Sequence, residues 1–430
     1  MKSGRIFAQS QGLARQMPAV AYRRSPVVAL VSLSPRPTEL IFMVVRSSLF
    51  SALLRGTFAL LLLVIGTLPA HGQRIAKYGA DFLAGGVDAR ALGMGGAYIS
   101  LADEVSATYW NPAGLSHLEY PEISYMHVER FAGAVSFDYG AAAFPVNERS
   151  TLGLAVFRSG VNDIVNTLNA WDPVNNRPRT NYESLITTFS AADWAFFVGY
   201  SRRVNDRLTL GLTFKGIRRT IGDFADAWGY SMDVGAQYRT GPYRFGLTVQ
   251  DLSTMLQSWS VNESAFQLEG DEINPETGTP FTFAEVFGQD IPQGGTELVI
   301  PVARFGSGAV WPVGEHQVSV GVDVDMAFDG QQAFAPNIGD VSFHPRMGGA
   351  FSYKGVAELR AGVSRLQVGD EIGVDLSPTI GAGVDLDQVS LAVSFGDFTG
   401  ITADDLGFTY RISAQLRLEQ PNLRRGGANE

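Results

Sequence analysis

The stretch Trp228-Gly229-Tyr230-Ser231-Met232-Asp233-Val234-Gly235-Ala236-Gln237-Tyr238 alternates without a break. Successive side chains of a strand point to opposite faces, so Trp228, Tyr230, Met232, Val234, Ala236 and Tyr238 make one apolar face. The other face is polar and carries Asp233. The segment is about as long as a tilted strand needs to cross a bilayer. Similar ladders recur: Val318, Val320, Val322, Val324, Met326 and Phe328 oppose Ser319, Gly321, Asp323 and Asp325. Phe408, Tyr410, Ile412, Ala414, Leu416 and Leu418 oppose Thr409, Arg411, Ser413, Gln415 and Arg417, and Leu208 to Phe214 oppose Thr209 to Lys215. One such strand fits an ordinary sandwich. Many of them point to a transmembrane β-barrel.

Beyond the N-terminal region no apolar run is long enough for a transmembrane helix, which excludes a helical-bundle membrane protein. Forty-eight glycines suit closely paired strands and turns. There is no cysteine, so disulfides, thiolate metal sites and cysteine nucleophiles are excluded together. Arg46 and Arg55 precede the apolar run Phe58 to Ile65, and Ala70-His71-Gly72 ends in small residues, as in a secretory signal. Residues 43–72 are therefore expected to be a signal peptide starting at Met43, and 1–42 an upstream extension from a misplaced start. Residues 1–72 hold eight Lys/Arg and one Asp/Glu, so without them the net charge is more negative than the whole chain's −10. That balance argues against nucleic acid as a partner.

From Pro121 to Leu418 the pattern gives an all-β, antiparallel barrel of about fourteen strands. The links alternate in length. Asn147-Glu148-Arg149-Ser150, Asn205-Asp206, Thr240-Gly241-Pro242, Val313-Gly314-Glu315, Lys354-Gly355 and Asp385-Leu386-Asp387 are tight turns, whereas links of the other parity, notably 161–192 and 253–296, are long. Outer-membrane barrels keep short turns in the periplasm and long loops outside. A lipid-facing Lys or Arg at mid-bilayer costs about 2–4 kcal/mol, so Lys215, Asp323, Asp325 and Arg411 should face the lumen. Lys215 and Arg411 are the bases expected to balance the two aspartates. Trp194, Trp228, Tyr238, Tyr243 and Trp311 should form interfacial girdles. Residues 419–430 are a tail, expected to lack order.

Residues 85–120 break the strand pattern, and the segment 73–120 is too short to fold alone, so it should lean on the barrel as a lumen hatch. Three pieces carry a family resemblance: Ala91-Leu92-Gly93-Met94-Gly95-Gly96-Ala97-Tyr98, Leu101-Ala102-Asp103-Glu104, and Ala107-Thr108-Tyr109-Trp110-Asn111-Pro112-Ala113-Gly114-Leu115. Together they resemble the PorV/PorQ family of outer-membrane proteins, itself similar to FadL-type barrels. The resemblance implies a fourteen-stranded barrel with a lumen hatch and a non-enzymatic role in type IX secretion. The partners it implies are secretion-system proteins or exported cargo bearing C-terminal domains, besides outer-membrane lipid. FadL-like relatives imply instead a channel for hydrophobic small molecules, with an apolar pocket beside the hatch and a lateral opening or lumen path.

The residues themselves suggest no cofactor. Gly93, Gly95 and Gly96 lack the spacing of a nucleotide loop, and packing of the hatch explains them better. Asp323 and Asp325 share a strand face, but no calcium-loop pattern surrounds them and no histidine pair has metal-ligand spacing. Arg218 and Arg219 near a strand end read as solvated charge or as a contact for lipopolysaccharide phosphates. Trp259, Phe266, Phe281, Phe283 and Phe287 make 253–296 the candidate partner loop.

Overall fold

The structure, a computed structural model, describes residues 81–130, 133–253, 255–268, 273–328, 341–369, 373–396, 409–420 and 423–425. The expected signal peptide, the extension before it and the end of the tail lie outside these residues. No helix among them is long and apolar enough to cross a membrane.

Sixteen strand segments form one antiparallel sheet that closes on itself. Two strands are each broken in two, which leaves a fourteen-stranded barrel. In chain order they are β1 (Glu122–Arg130), β2 (Val135–Pro145), β3 (Ser150–Asn166), β4 (Thr187–Arg203) and β5 (Leu208–Ile221). Then come β6 (Ala225–Thr240), β7 (Tyr243–Gln250 and Met255–Val261), β8 (Gly295–Val299 and Val302–Val313) and β9 (His316–Ala327). The last are β10 (Ser342–Tyr353), β11 (Ala357–Gly369), β12 (Gly373–Leu386), β13 (Val389–Gly396) and β14 (Tyr410–Arg417). Closure runs through β1 and β14, from Glu122 opposite Arg417 to Glu129 opposite Tyr410. Hydrocarbon offers no partner for a free strand edge, and closure leaves none.

The alternation sorts the two faces. Trp228 and Tyr230 are 61% and 63% exposed on the outside, while Asp233 and Gln237 of the same strand are buried inside. Val320, Val322, Ile380, Leu391 and Ile412 likewise project outward. An apolar exterior on a closed antiparallel barrel is made for lipid, and the chain is an outer-membrane protein of a Gram-negative bacterium. The tight turns lie at the end where β1 begins and β14 finishes, which is the periplasmic end.

Two long links are shorter than the sequence implies. Strands β3 and β4 run on to Asn166 and from Thr187, and β7 and β8 reach Val261 and start at Gly295. These extensions lack the apolar face that lipid imposes, so nothing in their sequence marks them as strand. The break in β7 is a register step: between Val234↔Val249 and Leu256↔Tyr230, β6 supplies Ser231–Asp233 against residues 250–255. Leu252 N–H still donates to Met232 O, so the seam stays bridged.

Candidate functional site

The lumen is filled from residue 81 to Tyr120 by short turns of helix at Asp81–Ala84, Ala89–Gly93 and Ala107–Trp110, and a 3-10 turn at Pro112–His117. Its core is aromatic. Trp110 packs edge-on against Tyr109 and Tyr98, with ring centroids 5.2 and 6.3 Å away, and its indole N–H donates to Val87 O. Asn111 ties this hatch to the wall: its amide donates to Ile99 O and Ala236 O, and its oxygen accepts from Ala113 N–H. Pro112 follows at the start of the 3-10 turn, where no N–H is needed. Asp103 faces Arg90 and Arg239 at 3.9 and 3.7 Å.

Wall glycines let the hatch lie flush. A Cβ at Gly153 or Gly199 would press on Thr108 and Leu115; at Gly211 and Gly235, on Pro112, Ala113 and Asn111. Gly246, Gly306 and Gly308 face the backbone or side chains of Ile99, Ser100 and Leu101, and Gly321 faces Ala97. Gly348 and Gly362 meet Met94, and Gly381 meets Gly93. The belt touches each strand from β3 to β12. On the hatch side Gly95 and Gly96 take φ of +69° and +72°, a conformation that side chains rarely adopt, and Gly114 abuts Ala102 O. Contact at backbone distance is therefore what the Gly93-Met94-Gly95-Gly96 and Asn111-Pro112-Ala113-Gly114 pieces serve.

Lumen charges pair otherwise than with one another as first expected. Lys215 sits 2.8 Å from Asp233 and 2.6 Å from Asp251, the residue that starts the β7 break. Asp325 is held by Arg346 at 2.7 Å and faces Arg304 at 3.5 Å. Asp323 accepts the hatch N–H groups of Tyr98 and Ile99 at 2.7 and 2.9 Å, and so fastens the hatch. Arg411 donates to Gly396 O instead of balancing either aspartate. The inward period of a strand reveals that these residues share the lumen, but not which strands become neighbours of which hatch turn.

One sector of the extracellular half is apolar. Inward residues Val128, Phe137, Phe157, Ala195, Phe197 and Ile217 from β1 to β5 join one cluster with Phe82 and Leu83 at the start of the hatch. Phe157 lies 6.0 Å from Phe82 and 5.8 Å from Phe137. Arg219, paired to Asp193, stacks over Phe82 and Trp259 at 5.7 and 5.2 Å. Its neighbour Arg218 stacks on the outward Trp228 instead. The two arginines therefore cannot act as one phosphate contact, because adjacent strand residues face opposite ways.

Of the candidate partner-loop residues, Trp259 belongs to strand β7. Phe266, Phe283 and Phe287 instead stack in series, and with Phe224 and Phe189 they form a row of rings with centroids 4.8–5.3 Å apart. Phe281 is half-buried and Phe287 ends the row exposed. Of the tail, the described residues include Arg425. Arg425 donates to Leu118 O, Asn147 O and Thr151 Oγ1, which pins it against the end of the hatch and the turn before β3.

On the periplasmic side a cavity of about 410 Å3 lies between the hatch and β11–β14, β1 and β2, lined by Arg90, Glu104, Glu122, Glu358, Arg360 and Arg417 among others. No group of acidic or histidine side chains among the described residues is placed to hold a metal.

No protein-family model matches the chain, and no curated protein matches its sequence. Solved structures similar to it include the CymD monoaromatic hydrocarbon channel, at 12% identity over 78% of this chain and 98% of that chain, with a TM-score of 0.49. The Ralstonia pickettii toluene transporter TbuX gives 13%, 78% and 99%, at 0.47. A Pseudomonas aeruginosa FadL homologue gives 13%, 77% and 98%, at 0.43. Likeness at this level transfers no activity.

Proposed function

We propose that this barrel is a channel that admits small hydrophobic molecules across the outer membrane. The observation that carries the reading is the apolar sector of the lumen. A water-filled porin has a polar interior, whereas here β1 to β5 turn Val128, Phe137, Phe157, Phe197 and Ile217 inward above the hatch. The row of rings from Phe287 to Phe189 supplies an apolar approach at the extracellular rim. Phe82 fills the sector, so an entering molecule must displace it. Its bond to the barrel is chiefly ring contact, with Arg219 above it.

The escort of secreted cargo implied by the resemblance has less behind it. The block that carries it, 91–115, is spent on contacts with the wall, and three of the loop aromatics stack on one another.

Uptake of labelled toluene by intact cells tests the reading. Cells lacking the chain should take it up several-fold more slowly, and Phe82→Ala should raise the rate above that of the parent. Unchanged uptake in the deletion strain, together with loss of exported C-terminal-domain proteins, would return the assignment to secretion.

A further inference from the structure

The periplasmic mouth of the barrel is unevenly charged. Arg203, Arg239 and Arg244 stand at the ends of β4, β6 and β7, with Arg149 and Arg207 in the turns before β3 and β5. The ladders continue into those turns: Arg203 N–H donates to Arg149 O at 2.7 Å and Arg239 N–H to Arg207 O at 2.8 Å. Arg239 and Arg244 are register partners. Each arginine lies two residues beyond a position that faces the hatch or the lumen, namely Thr151, Ser201, Thr209, Gln237 or Gly246. By the strand period all of them therefore belong to the lumen side of the mouth.

Like charges directly opposite one another destabilise a sheet, and little at the mouth offsets them. Arg239 faces Asp103 at 3.7 Å, but no carboxylate among the described residues pairs with Arg149, Arg203, Arg207 or Arg244. Arg425 of the tail joins the group, since Arg203 Nε donates to Ser116 O and Arg425 Nε to Leu118 O on the same end of the hatch. The positive field is felt there. Burial, then Arg239 and Arg203, hold the His117 imidazole down to about 2, and burial, then Arg203, bring Arg425 down to about 10. His117 Nε2 and Arg239 Nε are buried without a hydrogen-bond partner among the described residues. The opposite rim is neutralised within itself: Lys354 lies 3.0 Å from Glu315, Arg360 2.9 Å from Glu358, and Arg417 bonds Asp385.

We propose that this arginine arc, on the mouth of β3 to β7, is the docking surface for a periplasmic protein that presents an acidic segment. Guanidinium–carboxylate pairing is bidentate and strengthened by charge. Inner-leaflet phosphates lie outside the wall, whereas the arc belongs to the lumen side, so a lipid headgroup is badly placed to reach it. Neighbouring strands are about 4.8 Å apart, so the ends of β3 to β7 span roughly 19 Å. That is several times the width of one phosphate and matches an extended acidic stretch. The segment docks beside Ser116–Leu118, at the end of the hatch. The inference is independent of which solute the barrel admits.

The probe is a fluorescein-labelled peptide of alternating Glu and Gly, titrated against the full chain in nanodiscs of zwitterionic lipid and read by anisotropy. The parent should bind it at low salt and release it as salt rises. Arg149→Gln with Arg207→Gln removes two exposed charges and should weaken binding several-fold, and Arg149→Glu with Arg207→Glu at least about tenfold. Lys354→Gln on the opposite rim should leave binding unchanged. Heat-modifiable migration checks that each variant is folded, and the glutamine pair removes only unpaired charge from turns. No binding by the parent, undiminished binding by either folded pair, or an equal loss in Lys354→Gln overturns the arc. Displacement of the peptide by inorganic phosphate would make it a small-anion site, and displacement by phosphatidylglycerol in the disc a headgroup site; either result also overturns the proposal.

Discussion

Glu104 and Asp88 show how one hatch carboxylate can be kept charged and its neighbour protonated. Burial pushes Glu104 upward, but the Arg90 charge and hydrogen bonds from Asp88, Tyr98 and Arg90 outweigh it and hold the group down to about 2. Asp88 is pushed well above the usual carboxylate range by burial and then by Glu104. A lowered value means that Glu104 stabilises the fold above its unfolded value of about 4.3 and that this contribution fades as pH falls toward 2. Glu104→Gln should therefore destabilise the hatch by roughly 2–4 kcal/mol at pH 7, and the deficit should shrink below pH 4. Asp88 has the opposite sign, since its retained proton costs stability as pH rises above about 3.8. Asp88→Asn keeps the cap on Arg90 N–H and tolerates the positive φ of 68°, so it should melt at or above the parent at pH 8 and match it near pH 4. Melting in detergent across that range checks both, and a destabilised Asp88→Asn at pH 8 would contradict the assignment of the proton. The glycines allow a simpler test. Gly235→Val drives a side chain into Asn111 and should cost at least about 1–3 kcal/mol, read as earlier hatch proteolysis with the barrel still heat-modifiable.

Individual strands were legible because lipid imposes a strict rule on one face. Residues 228–238 could be assigned to a strand and oriented from the alternation alone, and Val322, 51% exposed at mid-strand, follows the same rule. Val322→Arg should thus cost about 2–4 kcal/mol in lipid, measured by urea titration of the folded barrel. The strand break was not legible, since the lumen triad beside it is drawn from three strands. Lys215 neutralises Asp233 and Asp251, and Asp251 N–H donates back to Asp233. Lys215→Met leaves two buried carboxylates without a cation and should cost roughly 3–5 kcal/mol, whereas adding Asp233→Asn and Asp251→Asn should recover most of it. Failure of the triple variant to recover would mean that the break depends on the lysine's shape and not on its charge. The hatch pieces were recognisable as a pattern, yet their purpose was hidden. Asn111 and Gly235 lie far apart in sequence, and neither hints at the other without the fold.

Across the whole molecule, the ladder from β14 to β1 closes the barrel without help from the hatch, whereas the hatch is fastened by bonds to the wall such as those of Tyr98 N–H to Asp323 and of Asn111 to Ala236 O. Removing residues 81–118 should consequently leave an inserted barrel. The exposed belt presents glycine backbone and rehydrated Lys215 and Asp323 to water, which they tolerate. Such a barrel should conduct ions as a large, permanently open pore in planar bilayers, and the full chain should pass little current at the same voltage. Cutting away only residues 81–89 is the finer comparison. It removes Phe82 and the seam with Met126 and Ser413 but keeps the belt contacts of Gly93 to Leu115, so conductance should rise only modestly. An equal, large conductance from both deletions would show that the belt holds the hatch no more firmly than its first turns do. A hatchless chain that never inserts would instead make the hatch a template on which the strands assemble.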